Sequence, residues 1–339
     1  MEITYPFEQV AEPGATLEIA PGVHWIRMPL PFALDHINLW LLDEGDGWTI
    51  VDTGLNLDRI KQHWDSVLAA CCVDKPVKHI IVTHCHPDHM GLANWLERKA
   101  AAPVWITQGE MLTAYAWYHQ LPGYDLNAMV ELYRRHGLTK DLLETLTSRG
   151  PTYKGRVDHL PATYRRIVDN QIIRIGPHDW RVITGYGHSP EHASLYCAAL
   201  GTLIAGDMLL PRITSNISVQ ACNPDGNPIQ QFLDSVDRFF DLPEDTLVLP
   251  SHGRPFRGAH TRVAELHMHH RERFDMLVAV CDTPKHAGDL LPLLFNRELD
   301  THQVVFAMGE AIAHLNYLEQ AGELQASKSP EGILRYMQS

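Results

Sequence analysis

The run Thr83-His84-Cys85-His86-Pro87-Asp88-His89, directly after the apolar stretch His79–Val82, constrains this chain more than any other feature. Three imidazoles and a carboxylate within six residues are costly to gather and desolvate unless a cation uses them. Alternation along an extended backbone puts His84 and His86 on one side, while Asp88 and His89 fall where the chain turns toward a helix. Such a loop at a strand's C-terminal end can present imidazoles and a carboxylate to two adjacent cations. A polar turn in which Asp88 merely caps the next helix would suit one histidine, not this cluster.

The surrounding pattern alternates between extended and helical. Val23–Met28, His36–Leu42 and Trp48–Val51 read as strands, the last two joined by a turn at Asp43-Glu44-Gly45-Asp46-Gly47. Leu57–Cys71 reads as a helix, His79–Val82 as a buried strand, Leu92–Lys99 as a helix and Val104–Ile106 as a strand, which together predict a layered α/β arrangement. Between residues 108 and 166, Met111–Gln120, Leu126–His136 and Lys140–Thr147 predict a helical insertion with eight Lys/Arg against six Asp/Glu, slightly basic in a chain of formal net charge −13. Strands resume at Ile172–Ile175, Trp180–Thr184, Ala193–Ala199 and Thr202–Ala205, followed by a helix at Ile229–Phe240 and a strand at Thr246–Leu249. Beyond Gly258 the chain reads as helical to about Val280, then at Gly288–Phe295 and Gln303–Gln320, with net charge −4 from Arg262 onward. The expected organisation is one domain over 1–258 carrying the insertion, and a small helical domain over 259–339.

Three further positions fall at strand ends. Gly187-His188-Ser189-Pro190 follows Trp180–Thr184, Gly206-Asp207 follows Thr202–Ala205, and Pro250-Ser251-His252-Gly253 follows Thr246–Leu249. Each sets one ligand type beside a glycine, which lets backbone approach closely. Any one alone reads as a turn; with the first cluster they are hard to explain without a metal.

The sequence Asp52-Thr53-Gly54, the H-x-H-x-D-H run, Gly187-His188, Gly206-Asp207 and His252, in that order over roughly residues 20–258, resembles the metallo-β-lactamase superfamily. The resemblance implies a four-layer αββα sandwich. It implies that His84, His86 and His188 hold a first metal, that Asp88, His89 and His252 hold a second, and that Asp207 bridges them. Two zinc ions per chain are the expected cofactor, with iron or manganese also suited to such N/O ligands. The implied chemistry is hydrolysis by a metal-bound hydroxide, with Asp88 and Asp207 as the catalytic carboxylates. Asp52 is expected to orient a ligating histidine without binding metal itself.

The stretches His269–Arg273 and Ala311–Leu318, with Gly322, are similar to the winged-helix tail of one subgroup. That subgroup includes glyoxalase-II-like and thioesterase-like enzymes and single-strand-specific endoribonucleases. A wing at Glu323–Ser329 is hard to discern in the sequence. The preferred function is hydrolysis of a thioester (acyl-CoA or acyl-glutathione) or a lactone. The slightly basic insertion suits an anionic carrier, and its helices suit an apolar wall. Arg254 and Arg257 are the nearest candidates for contacting an anionic substrate, against a reading as surface or loop anchors. The −13 charge and acidic tail oppose nucleic acid, and so the endoribonuclease alternative. A mononuclear iron sulfur dioxygenase is a second alternative. The complete ligand set opposes a non-catalytic binding module.

No apolar run approaches the ~18 residues of a membrane span. Met1–Pro6 carries neither a basic start nor an apolar core of a signal peptide. Six cysteines, with Cys71 and Cys72 adjacent, do not resemble a disulfide scaffold in a chain of 339 residues. A cytoplasmic enzyme with a small-molecule acyl substrate and no membrane partner is expected, with a homodimer left open. Cys85 is expected to be an inert packed thiol and His192 structural. His267, His269 and His270 are expected on a solvated helix face. Tyr115, Trp117, Tyr118, Tyr124 and Tyr133 are read as insertion core first and as pocket lining second.

Overall fold

The computed structural model describes residues 2–32, 34–150, 152–295 and 298–339. β1 (Thr16–Ala20), β2 (Val23–Pro29), β3 (His36–Asp43) and β4 (Trp48–Val51) pair antiparallel in sequence. α1 (Asp58–Cys71) then leads to β5 (Val77–Ile81), and α2 (Pro87–Met90) and α3 (Ala93–Ala100) lead to β6 (Val104–Ile106), both strands parallel to their neighbours. After α4 (Gln108–Tyr118), α5 (Leu126–Arg135), α6 (Lys140–Arg149) and α7 (Tyr153–Arg156), β7 (Arg165–Arg166) completes a seven-stranded sheet ordered β1 to β7. β8 (Ile172–Ile175), β9 (His178–Gly185), β10 (His192–Cys197), β11 (Thr202–Gly206) and, beyond α8 (Pro228–Asp237), β12 (Leu247–Pro250) form a five-stranded sheet ordered β12-β11-β10-β9-β8. The chain ends in α9 (Ala259–Val280), α10 (Ala287–Leu294), α11 (Thr301–Gln320) and a hairpin of β13 (Leu324–Lys328) with β14 (Leu334–Gln338). Among the described residues, no helix is long and apolar enough to cross a membrane.

These elements divide into two compact units. The first holds Met1–Tyr118, Tyr153–Ser215 and Ser235–Val263; the second holds His119–Thr152, Asn216–Asp234 and Ala264–Ser339. Of the three helices expected as an insertion, α4 therefore belongs to the first unit and α5 and α6 to the second.

In the first unit the two sheets stack. Trp25, Trp40, Val51 and Ile81 from one and Val182, Leu195, Ile204 and Leu249 from the other share a single apolar core. The opposite face of the larger sheet packs on Ile60, Trp64 and Val67 of α1, Leu96 of α3, and Met111 and Ala114 of α4. This two-sided burial explains why β3 reads as a nearly continuous apolar run, since a strand covered on both faces has no solvent side to keep polar. Arg238 Nη1 donates to the Thr184 carbonyl and the Tyr186 N–H donates to Ser235 Oγ, which lays Ser235–Asp241 against the second sheet. The result is the helix-sheet-sheet-helix sandwich that the sequence implies.

One polar side chain fastens this sandwich. Asn38 in β3 is fully buried; its Oδ1 accepts from Trp25 Nε1, and its Nδ2 donates to the carbonyls of Pro250 and Gly253, all at 2.8 Å. It thereby anchors the loop that carries His252.

The second unit is helical with a terminal hairpin. Asp300 and Gln303 form a reciprocal cap at the start of α11, and His286 with Asp289 does the same for α10. Tyr133 Oη donates to the Val305 carbonyl, joining α5 to α11. The expectation of a solvated face for His267, His269 and His270 fails at His270, which is buried beside Phe232, Phe274 and His314. Burial and the neighbouring His314 lower its pKa to about 2, so it packs as a neutral aromatic ring. The sequence reading also missed β1, β7, α7 and the hairpin strands, all short, and β13 occupies the stretch in which a wing was hard to discern.

Two stability measurements follow. Asn38→Leu strips the buried Trp25 indole N–H of its acceptor and the Pro250 and Gly253 carbonyls of a donor, at about 1–3 kcal/mol for each buried group left unsatisfied, so its denaturant midpoint should fall well below wild type at unchanged slope. Burial raises the Glu310 carboxyl to about 7 despite the Asn216 hydrogen bond and Arg273. The folded chain thus binds this proton more tightly than the unfolded chain, and stability is lost as pH rises from about 4.5 through 7. Melting temperatures from pH 5 to 8 should show this decline in wild type and less of it in Glu310→Gln.

Candidate metal centre

The loop after β5 is set by local chemistry. Pro87 stands in the first turn of α2, where its fixed φ suits a helix start, and His86 caps that turn in an extended conformation. His84 and His86 thus precede the helix, on the loop after β5, while Asp88 and His89 enter it. Gly206 ends β11 at φ +55°, and a Cβ there would lie 2.2 Å from His192 Nε2, so only glycine lets the chain turn Asp207 inward.

All seven expected ligands converge. The ligand atoms of His84, His86, His188 and Asp207 lie within 4.8 Å of one another, as do those of Asp88, His89 and His252. Asp207 spans both groups: Oδ2 is 3.4 Å from His188 Nε2, and Oδ1 is 3.5 Å from both His89 Nε2 and His252 Nε2. Asp88 Oδ2 lies 3.5 Å from His252 Nε2.

The hydrogen bonds behind these rings fix which nitrogen faces inward. Thr83 Oγ1 donates to Asp52 Oδ2, so it accepts from His84 Nδ1 at 3.0 Å and leaves a lone pair on His84 Nε2. That nitrogen meets His86 Nδ1 at 2.9 Å and His188 Nε2 at 3.2 Å. His89 Nδ1 donates to Asp52 Oδ2, and His252 Nδ1 donates to the His36 carbonyl, both at 2.8 Å, turning each Nε2 toward the centre. His89 Nε2 and Asp207 Oδ1 are buried and make no hydrogen bond among the described residues. Converging imidazole nitrogens with these two orphaned atoms are a donor set that fits divalent cations.

Charge divides the groups. Burial, then the neighbouring imidazoles, hold His84 well below its ordinary pKa, and burial with His188 takes His86 down to about 3. Burial opposes ionisation of Asp207 and Asp88, yet the adjacent His252 and His89 hold Asp207 well below the carboxylate range and Asp88 at about 2. His89 is raised against its burial by Asp52, Asp207 and Asp88. Neutral imidazoles and ionised carboxylates are the forms that bind metal, and a cation can replace the positive charge that His89 otherwise supplies.

Other residues sort by their contacts. His192 Nε2 accepts the Asp207 N–H at 3.2 Å, holding the backbone of the turn that carries Asp207 without joining either ligand group. Cys85 is fully buried and burial pushes its thiol far up, leaving its backbone as the active part. Trp117 of α4 lies nearly parallel to the His86 ring, 6.0 Å away at 14°, so this one of the expected aromatics borders the cluster. Arg257 reaches the Asp245 carbonyl and Arg254 is exposed. Sequence reasoning overlooked Glu110, Asn38 and Tyr153. For Glu110 the signal was a lone acid among the apolar residues of α4, and it is fully buried.

Comparison with known proteins agrees with this geometry. A family model described as the metallo-beta-lactamase superfamily matches residues 33–252, and one for a metallo-beta-lactamase-like C-terminal domain matches residues 274–339. The crystal structure of a beta-lactamase domain protein from Burkholderia ambifaria is 44% identical, with 99% of this chain and 98% of that one covered and a TM-score of 0.93. The metallo-beta-lactamase family protein TTHA1429 from Thermus thermophilus is 30% identical over 94% of this chain and 99% of its own, with a TM-score of 0.80. A probable metallo-hydrolase of Bacillus subtilis (strain 168), YqjP, is 23% identical over 87% of this chain and 91% of its own. With two thirds of its length matched by the family model and its ligand motifs folded into one cluster, the chain belongs to the metallo-beta-lactamase superfamily.

Proposed function

We propose that the chain, a metal-dependent hydrolase of this superfamily, cleaves a small carbonyl ester: a thioester of the acyl-CoA or acyl-glutathione type, or a lactone. His84, His86 and His188 would hold one metal ion, Asp88, His89 and His252 a second, with Asp207 between them and zinc as the first choice. When bound, these ions supply Lewis acidity and lower the pKa of water. The chain's own part is to hold the donors in place: Asp52 and the His36 carbonyl fix the rings of His89 and His252, and Thr83 fixes that of His84. The observation that carries the hydrolytic reading is the span of Asp207 across both ligand groups, one oxygen toward each.

For the substrate, the flat face of Trp117 against His86 offers an apolar surface beside the centre, which suits an acyl group. The net charge of −13 weighs against a polyanion such as RNA. In the same reading, residues 1–258 form the catalytic domain and 259–339 a winged-helix-like tail, supported by three helices followed by a hairpin.

Metal-replete protein should hydrolyse at least one member of a panel of acyl-CoA thioesters, acyl-glutathiones and lactones, and Asp207→Ala should lose both that turnover and bound metal. Cleavage of single-stranded RNA without ester turnover would replace this function, and one iron per chain would favour the dioxygenase. Asp52→Asn removes the charged acceptor of His89 Nδ1 and should weaken zinc binding about 10–100-fold, read by competition with a chelator.

A further inference from the structure

Among the described residues, the stretches His84–His86 and His188–Glu191 make no backbone hydrogen bond to each other; beside them the Ala193 N–H donates to the Thr83 carbonyl at 2.9 Å, and a third element joins the stretches themselves. Glu110 lies in the first turn of α4, outside every ligand motif, and is fully buried. Its Oε2 accepts the N–H of Cys85, between His84 and His86, at 2.9 Å. Its Oε1 accepts Ser189 Oγ–H and the Glu191 N–H, both at 2.6 Å, just after His188. Glu191 replies: its Oε2 accepts the Gly109 N–H and its carbonyl accepts Thr107 Oγ1–H, both at 2.7 Å. Tyr153 Oη donates to the Cys85 carbonyl at 2.6 Å and holds the same peptide from its other side.

We propose that Glu110 is a positioning residue that clamps the His84–His86 loop to the His188 loop and so sets the separation of the three imidazoles for the first metal. The inference rests on the metal-centre reading above. A buried carboxylate whose partners here are neutral donors, the Cys85 thiol among them, lacks the return a cation would give, and its use here is to fix geometry. The fork needs two acceptor oxygens. A glutamine amide has one, so whichever way it turns, its NH₂ meets either the Cys85 N–H or the Glu191 N–H.

The test titrates Co(II) into metal-free wild type, Glu110→Gln and Ser189→Ala against a competing chelator and follows the cobalt absorption bands. His188→Ala marks the binding phase of the first group. In Glu110→Gln that phase should weaken about 10–100-fold with an altered cobalt spectrum, while the second phase stays within about threefold. Ser189→Ala, which removes a single donor, should weaken the same phase by a smaller factor, and it carries the test if Glu110→Gln does not fold. An unchanged first phase, or equal loss in both phases, overturns the clamp. Wild-type protein that takes up no Co(II) overturns the metal-centre reading, and the clamp with it; an unchanged variant beside a wild type that binds overturns the clamp alone.

Discussion

Asp52 is the constraint on which the centre depends. It follows β4 at φ +62°, a left-handed conformation that costs a non-glycine residue about 1 kcal/mol or more. The turn directs the carboxylate to the Thr83 N–H, Thr83 Oγ1 and His89 Nδ1, all within 3.1 Å, while the Asp52 N–H still donates to the Ile81 carbonyl. Thr53, the next residue, accepts the Leu92 N–H and donates its hydroxyl to the His89 carbonyl. One strand end thus grips both sides of the histidine-rich loop, and the ring orientations of His84 and His89 follow from it. Strain at this position is offset by hydrogen bonds that a neutral side chain could not accept together.

The ligands were legible because their chemistry is local. Six residues hold four of them, and the others each stand beside a glycine at a strand end, so type and spacing alone single them out. The strands β3 and β4 were legible for a related reason, since burial on both faces writes nearly continuous apolar runs into the sequence. What could not be read is what depends on distant partners. Asn38 meets Pro250 and Gly253 more than 200 positions away, and Glu110 meets Ser189 and Glu191 about 80 positions away. Each is a single polar residue in an apolar stretch, a pattern that marks a buried hydrogen-bonded group without naming its partner. His270 was misplaced because histidine reads as polar in a helical pattern, whereas deprotonation lets it pack beside Phe274 and His314 as an aromatic ring.

The burial of so many ionisable groups poses an energetic problem that the fold answers in two ways. Around the first group, burial and mutual repulsion keep His84 and His86 neutral, so these two rings cost the folded chain no buried charge. Around the second, Asp207 and Asp88 raise His89 and His252 against their burial, and Asp52 adds to them at His89. An unpaired buried charge is far more costly than a surface one. Asp207 serves both groups and Asp88 the second alone, which implies that the second gains more electrostatic stabilisation from a cation.

That difference gives α4 its place in the structure. A group bound by charge tolerates small displacements, because Coulomb attraction falls slowly with distance. An imidazole ligand does not, because coordination fails within a few tenths of an ångström. The first group takes three of its four ligands from imidazoles, and α4 braces the loops that carry them, through Glu110 to both loops and through Trp117 against His86. The same helix would then present the apolar wall of the site and fix the metal behind it, so a change in its packing would alter substrate fit and metal geometry together.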